Sequence, residues 1–191
     1  MVAEVGVLAL QGDFARHQEV LGALGCQVQP IRYPDQLANL SALVIPGGES
    51  ATISKQLDSS GLREAVVEFA RERPVMGTCA GLILMCRDPG DKRVQSLGLL
   101  DVTVTRNSWG RQVHSFSTAL ELHINGRADA FPAVFIRAPR VQEVGPGVEV
   151  LARIDGEPVL VRQGHHVGVT FHPELTDDHR IHELFLGAIT A

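Results

Sequence analysis

Cys79 sits in Gly77-Thr78-Cys79-Ala80-Gly81, between an extended apolar approach (Pro74 to Met76) and an apolar run of helical character. Glycines two before and two after a nucleophile-type residue are what a sharp strand-to-helix turn requires. A side chain at Gly77 or Gly81 would clash there, while Cys79 is pushed out at the tip. A cysteine so placed lies at a helix N-terminus, where unpaired N–H groups and the dipole favour thiolate over thiol. The Ala80 N–H is then set to receive negative charge developing on a substrate oxygen. An inert buried thiol is the competing reading, because Cys is among the most buried residue types and short motifs match by chance.

Phe171-His172-Pro173-Glu174 follows a strand-like run, at a sheet end where α/β proteins place their sites. His172 is a candidate general base for the thiol. Glu174 is a candidate to hold the imidazole in one tautomer and orientation. Taken alone, His-Pro-Glu also reads as a capped surface turn. Pro46-Gly47-Gly48-Glu49 is the third piece: paired glycines after a strand let backbone N–H groups approach a ligand, and Gly48 could complete an oxyanion hole with Ala80. His165-His166 with His172 gives no metal site, since adjacent residues on a strand point to opposite faces and no cysteine or carboxylate cluster joins them. His114, His123, His179 and His182 read as surface residues, and Cys26 and Cys86 as small core residues.

The elements that must position these groups alternate in the first half. Strands are expected at Glu4 to Leu10, Gln27 to Ile31, Leu40 to Ile45 and Pro74 to Thr78. Helices are expected from Phe14 to Leu24 (with Asp13 as N-cap and Gly25 closing it), Ala51 to Leu57, Leu62 to Arg71 and Ala80 to Arg87. Such alternation predicts a parallel sheet covered on both faces. The second half reads as strands at Leu99 to Thr105, Ser117 to Leu122, Ala133 to Ile136, Val148 to Ile154, Pro158 to Arg162 and Val167 to Phe171, with a hairpin turn at Asp155-Gly156. A helix from about Asp178 to Ile189 closes the chain. The expected fold is α/β: one domain spanning residues 1–191, a mostly parallel central sheet with helices on both faces (flavodoxin-like), and an antiparallel strand extension.

Composition narrows the function. The 191 residues carry 17 basic and 22 acidic side chains, a net charge of −5, with no basic patch of the kind nucleic acid demands. Neither a membrane-spanning stretch nor a basic-then-apolar leader is visible. Three cysteines, few and odd in number, argue against a disulfide framework and for a reducing compartment, hence a cytoplasmic protein.

The elbow and the His-Pro-Glu segment together resemble the triad class of glutamine amidotransferases, and within it the glutaminase subunits of pyridoxal 5′-phosphate synthase. Five further stretches carry that narrower resemblance: residues 6–13 (GVLALQGD), 46–50 (PGGES), 106–112 (RNSWGRQ), 136–139 (IRAP) and 174–178 (ELTDD). It extends over almost the whole chain, in order. Ser108-Trp109 departs from the family's more usual Ala followed by Phe or Tyr.

The resemblance implies that Cys79 attacks the side-chain amide of L-glutamine to give a γ-glutamyl thioester and ammonia. His172 moves the protons and Glu174 orients it. Gly48, Glu49 and Ser50 line the glutamine pocket, while Arg106, Ile136 and Arg137 hold its amino-acid end. No cofactor and no metal are implied. A partner is: a (β/α)₈-barrel synthase subunit in a large hetero-oligomeric ring, which takes up the ammonia and without which the glutaminase is nearly idle. If His172 and Cys79 act as a pair, activity falls on the acid side as that pair takes up a proton. Two rivals remain. One is a cysteine peptidase or glyoxalase-like protein on a similar fold, although such proteins usually place histidine directly after the cysteine, where this chain has Ala80. The other is a binding protein that kept the elbow and lost the chemistry.

Overall fold

The computed structural model describes residues 2–106, 115–124 and 126–189. Its centre is a seven-stranded sheet in which β1 (Glu4–Leu8), β2 (Gln27–Ile31), β3 (Ala42–Ile45), β4 (Val75–Thr78) and β12 (His166–Val169) run parallel. Two antiparallel strands, β10 (Glu149–Ile154) and β11 (Glu157–Gln163), extend the β12 edge, giving the order β10-β11-β12-β4-β3-β1-β2. The turn between them is the expected Asp155-Gly156, with φ of 50° and 83°, the pair of positive values a tight hairpin needs.

Strand periodicity decides which helices lie on which face. In β3, Leu43 and Ile45 enter one buried apolar cluster, and Ala42 and Val44 the other. The first cluster packs under α2 (Ser50–Ser59), α3 (Leu62–Ala70) and α4 (Ala80–Met85). The second packs under α1 (Phe14–Ala23) and α5 (Arg180–Gly187). A ribbon of β7 (Ser115–Ile124) and β8 (Arg127–Ile136) supplies Phe131 and Phe135 to that second cluster, around Phe171. A small sheet of β5 (Cys86–Asp88), β6 (Leu100–Thr105) and β9 (Arg140–Val144) sits on the first. The mostly parallel sheet, with helices on both faces and antiparallel additions, is the expected α/β architecture.

Several boundaries differ for physical reasons. The helix after Cys79 stops at Met85 instead of running to Arg87, because Leu97 and Leu99 donate to the carbonyls of Leu84 (2.7 Å) and Met85 (2.8 Å) and Cys86 turns extended to pair with Leu100. Cys86 is therefore a strand residue, fully buried, its thiol pushed up to about 12 mainly by that burial. Asp13 does not cap α1 with its side chain, whereas Gly25 closes that helix at φ 84° as expected, with Cys26 donating back to Leu21. Strand β8 begins at Arg127, six residues before the expected Ala133, and carries Pro132 opposite Ala119. A two-stranded ribbon consists of edges, where proline's missing N–H is tolerated. Strand β9 has no counterpart among the expected strands.

Candidate active site

The bend at Cys79 is as tight as its glycines suggest. Cys79 has φ 50° and ψ −104°, a strained conformation for a residue with a side chain, and its N–H donates to Val169 O at 2.9 Å. A Cβ at Gly81 would lie 2.0 Å from the carbonyl oxygen of Ile45, and one at Gly77 2.6 Å from the Gly81 carbonyl carbon. Strand β3, β4 and the helix behind them thus press together at contacts only glycine allows. They leave Cys79 7% exposed, with Sγ 3.8 Å from Ile136 O.

His172 and Glu174 converge on the same place from the strand end beyond β12. His172 Nδ1 lies 2.8 Å from Glu174 Oε1; a carboxylate only accepts, so Nδ1 carries the proton and Nε2 is left for a substrate or thiol. Burial by itself would lower the imidazole, but hydrogen bonds and charge from Cys79 and then Glu174 outweigh it, and His172 is held well above its ordinary value. Glu174, 1% exposed, goes the other way. Burial favours its neutral form, yet His17 and His172 together hold it well below the usual carboxylate range. The result is a buried carboxylate, an imidazole that favours its protonated form, and a sulfur beside it.

The Pro-Gly-Gly loop completes the enclosure. A Cβ at Gly47 would sit 2.6 Å from His172 Cε1, so the loop backbone lies directly against the ring. Gly48 rests on Gln11 and Gly12, whose φ of 104° and contact with the Gly47 carbonyl exclude any other residue; Gln11 Oε1 accepts from Glu49 N at 2.7 Å. Glu49 turns its carboxylate onto the start of α2, accepting from Thr52 N (2.7 Å), Thr52 Oγ1 (2.8 Å) and Ala51 N (3.3 Å). Burial opposes ionisation there, but these bonds and Arg106 bring it down to about 2.

The candidate substrate residues are brought together unevenly. Gly48 packs against Gln11, Gly12 and Ile53, beside Gly47, which meets His172, whereas Ala80 opens the helix after the elbow and the Ile136 carbonyl faces Cys79. Arg137 follows with φ 45°, a turn that redirects the chain just after Ile136 O meets the thiol. Ser50 is buried at the start of α2, with no partner for its Oγ among the described residues. Arg106 is already engaged, donating to Glu49 Oε1 (2.9 Å) and to Asp91 Oδ2 (2.6 Å), an acid that no motif points to. Ser108 and Trp109, with His114, lie outside the described residues. No group of metal-ligating side chains occurs among the described residues. The rings of His165 and His166 do not diverge to opposite faces but meet edge-on at 4.3 Å, where His165 Nε2 reaches Ala70 O and His166 accepts from Val75 N.

Two buried histidines escape the sequence reading. His17 belongs to no motif, and His182 is not at the surface as expected; both are fully buried, 3.0 Å apart through His17 Nδ1 and His182 Nε2, and His17 reaches Thr78 and Glu174. The signal that could have found them is position: His17 lies on the same helical stripe as Phe14 and Leu21, and His182 beside Ile181 in a helix whose inner face includes Phe185.

Known proteins similar to this chain match it over nearly its whole length. The SNO glutamine amidotransferase family matches residues 7–191. The chain is 50% identical over 183 residues to the pyridoxal 5′-phosphate synthase subunit PdxT of Koribacter versatilis, covering 96% of this chain and 94% of that one. It is 51% identical over 184 residues to the same subunit of Pelotomaculum thermopropionicum, covering 96% and 93%. Among solved structures, a glutamine amidotransferase superposes with a TM-score of 0.92 at 45% identity, over 98% of this chain and 99% of the other. The PurLQS structure from Thermotoga maritima, at 17% identity and a TM-score of 0.69 over 100% of this chain and 98% of the other, shares the fold.

Proposed function

This chain belongs to the SNO glutamine amidotransferase family, and from that membership we propose that Cys79, His172 and Glu174 are the triad by which it hydrolyses glutamine. The observation that carries the reading is the buried His172–Glu174 pair, 2.8 Å apart, set against a cysteine presented at a strained bend. The enzyme is the glutaminase that supplies ammonia for pyridoxal 5′-phosphate synthesis, the pathway for which its PdxT relatives are named.

Cys79 Sγ forms a bond to the side-chain amide carbon of L-glutamine with the thiol's proton held on His172 Nε2. The N–H groups of Gly48 and Ala80 receive the oxyanion. His172 returns the proton to nitrogen, the C–N bond breaks, and ammonia leaves a γ-glutamyl thioester on sulfur. Water then attacks with His172 as base, releasing glutamate and the thiol. Glu174 keeps Nδ1 protonated through both halves. Gly48, Glu49 and Ser50 line the glutamine pocket, and Arg106, Ile136 and Arg137 hold the amino-acid end, with Arg106 exchanging part of its hold on Glu49 and Asp91 for the substrate carboxylate.

Ammonia passes to a separate (β/α)₈ synthase partner, in a ring assembly to which this chain docks. No helix among the described residues is long and apolar enough to cross a membrane, and the three free thiols suit a reducing cytoplasm. A peptidase or glyoxalase-like reading is not favoured by relatives of this identity and coverage. Glutamate and ammonia release, with and without the synthase partner, is the test. Release that needs the partner and vanishes in Cys79→Ala supports the reading, and undiminished release in that variant overturns it.

A further inference from the structure

Behind the triad lies a chain of buried polar groups that take no part in the steps above. Glu174 has two carboxylate oxygens and gives only Oε1 to His172. The other, Oε2, is fully buried, has no hydrogen-bond donor at ordinary geometry among the described residues, and lies 3.4 Å from His17 Nε2. That same nitrogen is 3.2 Å from Thr78 Oγ1, on the residue that leads into Cys79. On its far side, His17 Nδ1 is 3.0 Å from His182 Nε2, and His182 Nδ1 ends the chain with no partner among the described residues. A single helix residue thus touches both halves of the site, the segment that presents the sulfur and the carboxylate that aims the base.

We propose that His17 is a positioning residue of this glutaminase: its Nε2–H holds Glu174 Oε2 so that Oε1 stays on His172 Nδ1, and it ties that carboxylate to the strand end before Cys79. The inference rests on the triad reading above. A buried carboxylate that served one imidazole and left its second oxygen bare would be costly and free to rotate. With an imidazole on each oxygen it has one orientation. The proton on Nε2 is required by what it faces, since a carboxylate can only accept. The groups bearing on His17 are Thr78 from β4, Glu174 from the turn after β12 and His182 from α5. His172 lies across Glu174, and His179, just before α5, acts on His182. Burial and the neighbouring His17 hold His182 down to about 3, so the far end of the chain stays neutral and places no second charge beside the carboxylate.

The test compares His17→Leu, His17→Gln and His17→Asn in the complex with the synthase partner, by glutamate release across pH. Leu removes the donor. Gln places an amide N–H near the Nε2 position, and Asn reaches only toward the His182 side. His17→Leu should lose about 10- to 100-fold in kcat with little change in KM, the range carried by partners that orient a functional imidazole. Its acid limb, which belongs to the His172–Cys79 pair, should move to higher pH, because Glu174 without its second partner bears its charge more fully on His172. His17→Gln should recover most of kcat and the original limb, and His17→Asn neither. A Leu variant within about twofold of the parent with an unmoved limb overturns the proposal, as does Gln no better than Asn. Should Leu fail to fold, the Gln–Asn contrast decides. Cys79→Ala run alongside separates the outcomes: activity there defeats the triad reading itself, whatever the His17 variants do.

Discussion

Replacing Gly47 by alanine should disable the enzyme while leaving its fold intact. Gly47 does not occupy the left-handed region, so alanine brings no backbone strain there. What it brings is a methyl carbon 2.6 Å from His172 Cε1 and 3.3 Å from Nδ1. Carbon atoms rest at about 3.5–4.0 Å, so the ring must retreat by roughly 1 Å. It is pinned on the other side by its 2.8 Å bond to Glu174, which a retreat of that size breaks or bends past usefulness. A hydrogen bond to a charged group is worth about 1.5–3 kcal/mol, and misplacing a catalytic group by about 1 Å costs on the order of a hundredfold. The two estimates agree at about 2–3 kcal/mol, or roughly 30- to 150-fold in kcat. Steady-state glutamate release with the synthase partner reads the loss, and a denaturant titration checks that the protein still folds cooperatively, with a stability cost no larger than that of the one hydrogen bond. Full activity in a folded Gly47→Ala protein would refute the claim that this loop wall positions His172.

Gly81→Ala should act on stability instead, because its Cβ would meet the Ile45 carbonyl oxygen at 2.0 Å and its carbon at 2.9 Å, both backbone atoms of a buried strand. A cost of about 1–3 kcal/mol or more is expected, seen as a lower urea midpoint at unchanged slope; an unchanged midpoint would contradict it. The second expectation concerns acid. His182 is held down to about 3 by burial against an ordinary 6.5, so its contribution to stability is fully present above 6.5. It is lost as pH falls from there toward 3, because only the unfolded chain then takes up the proton. One such group gives about 1.4 kcal/mol per pH unit, or about 2 kcal/mol by pH 5. His182→Leu should flatten the fall in unfolding free energy between pH 6.5 and 5 by that amount, and an unchanged pH dependence would show that His182 is not the group responsible.

Much of the fold and site was legible because each depended on short-range geometry. The glycines at 77 and 81 announce a clash that the fold then realises against Gly81 and Ile45 backbone, and alternation along Leu43 to Ile45 fixes two faces of one sheet. His172 and Glu174 lie two residues apart, so finding one finds the other. What stayed hidden depends on contacts between distant segments. His17 and His182 become partners only when α1 and α5 cover the same sheet face. Asp91 meets Arg106 only after the chain folds back through β5 and β6. The short helix after Cys79 illustrates the same limit: its apolar run says helix to Arg87, but the returning segment at Leu97 and Leu99 claims its carbonyls first.

The chemistry turns on which sulfur takes the substrate carbon. An electrophilic glutamine analogue, such as a diazoketone or chloroketone of the same length, offered to the complex with the synthase partner and mapped by peptide mass spectrometry, asks this directly. Label on Cys79 alone, with ammonia release falling in step with its occupancy, is the predicted result. Label on Cys26 or Cys86, or glutamine hydrolysis that persists when Cys79 is fully occupied, would contradict it.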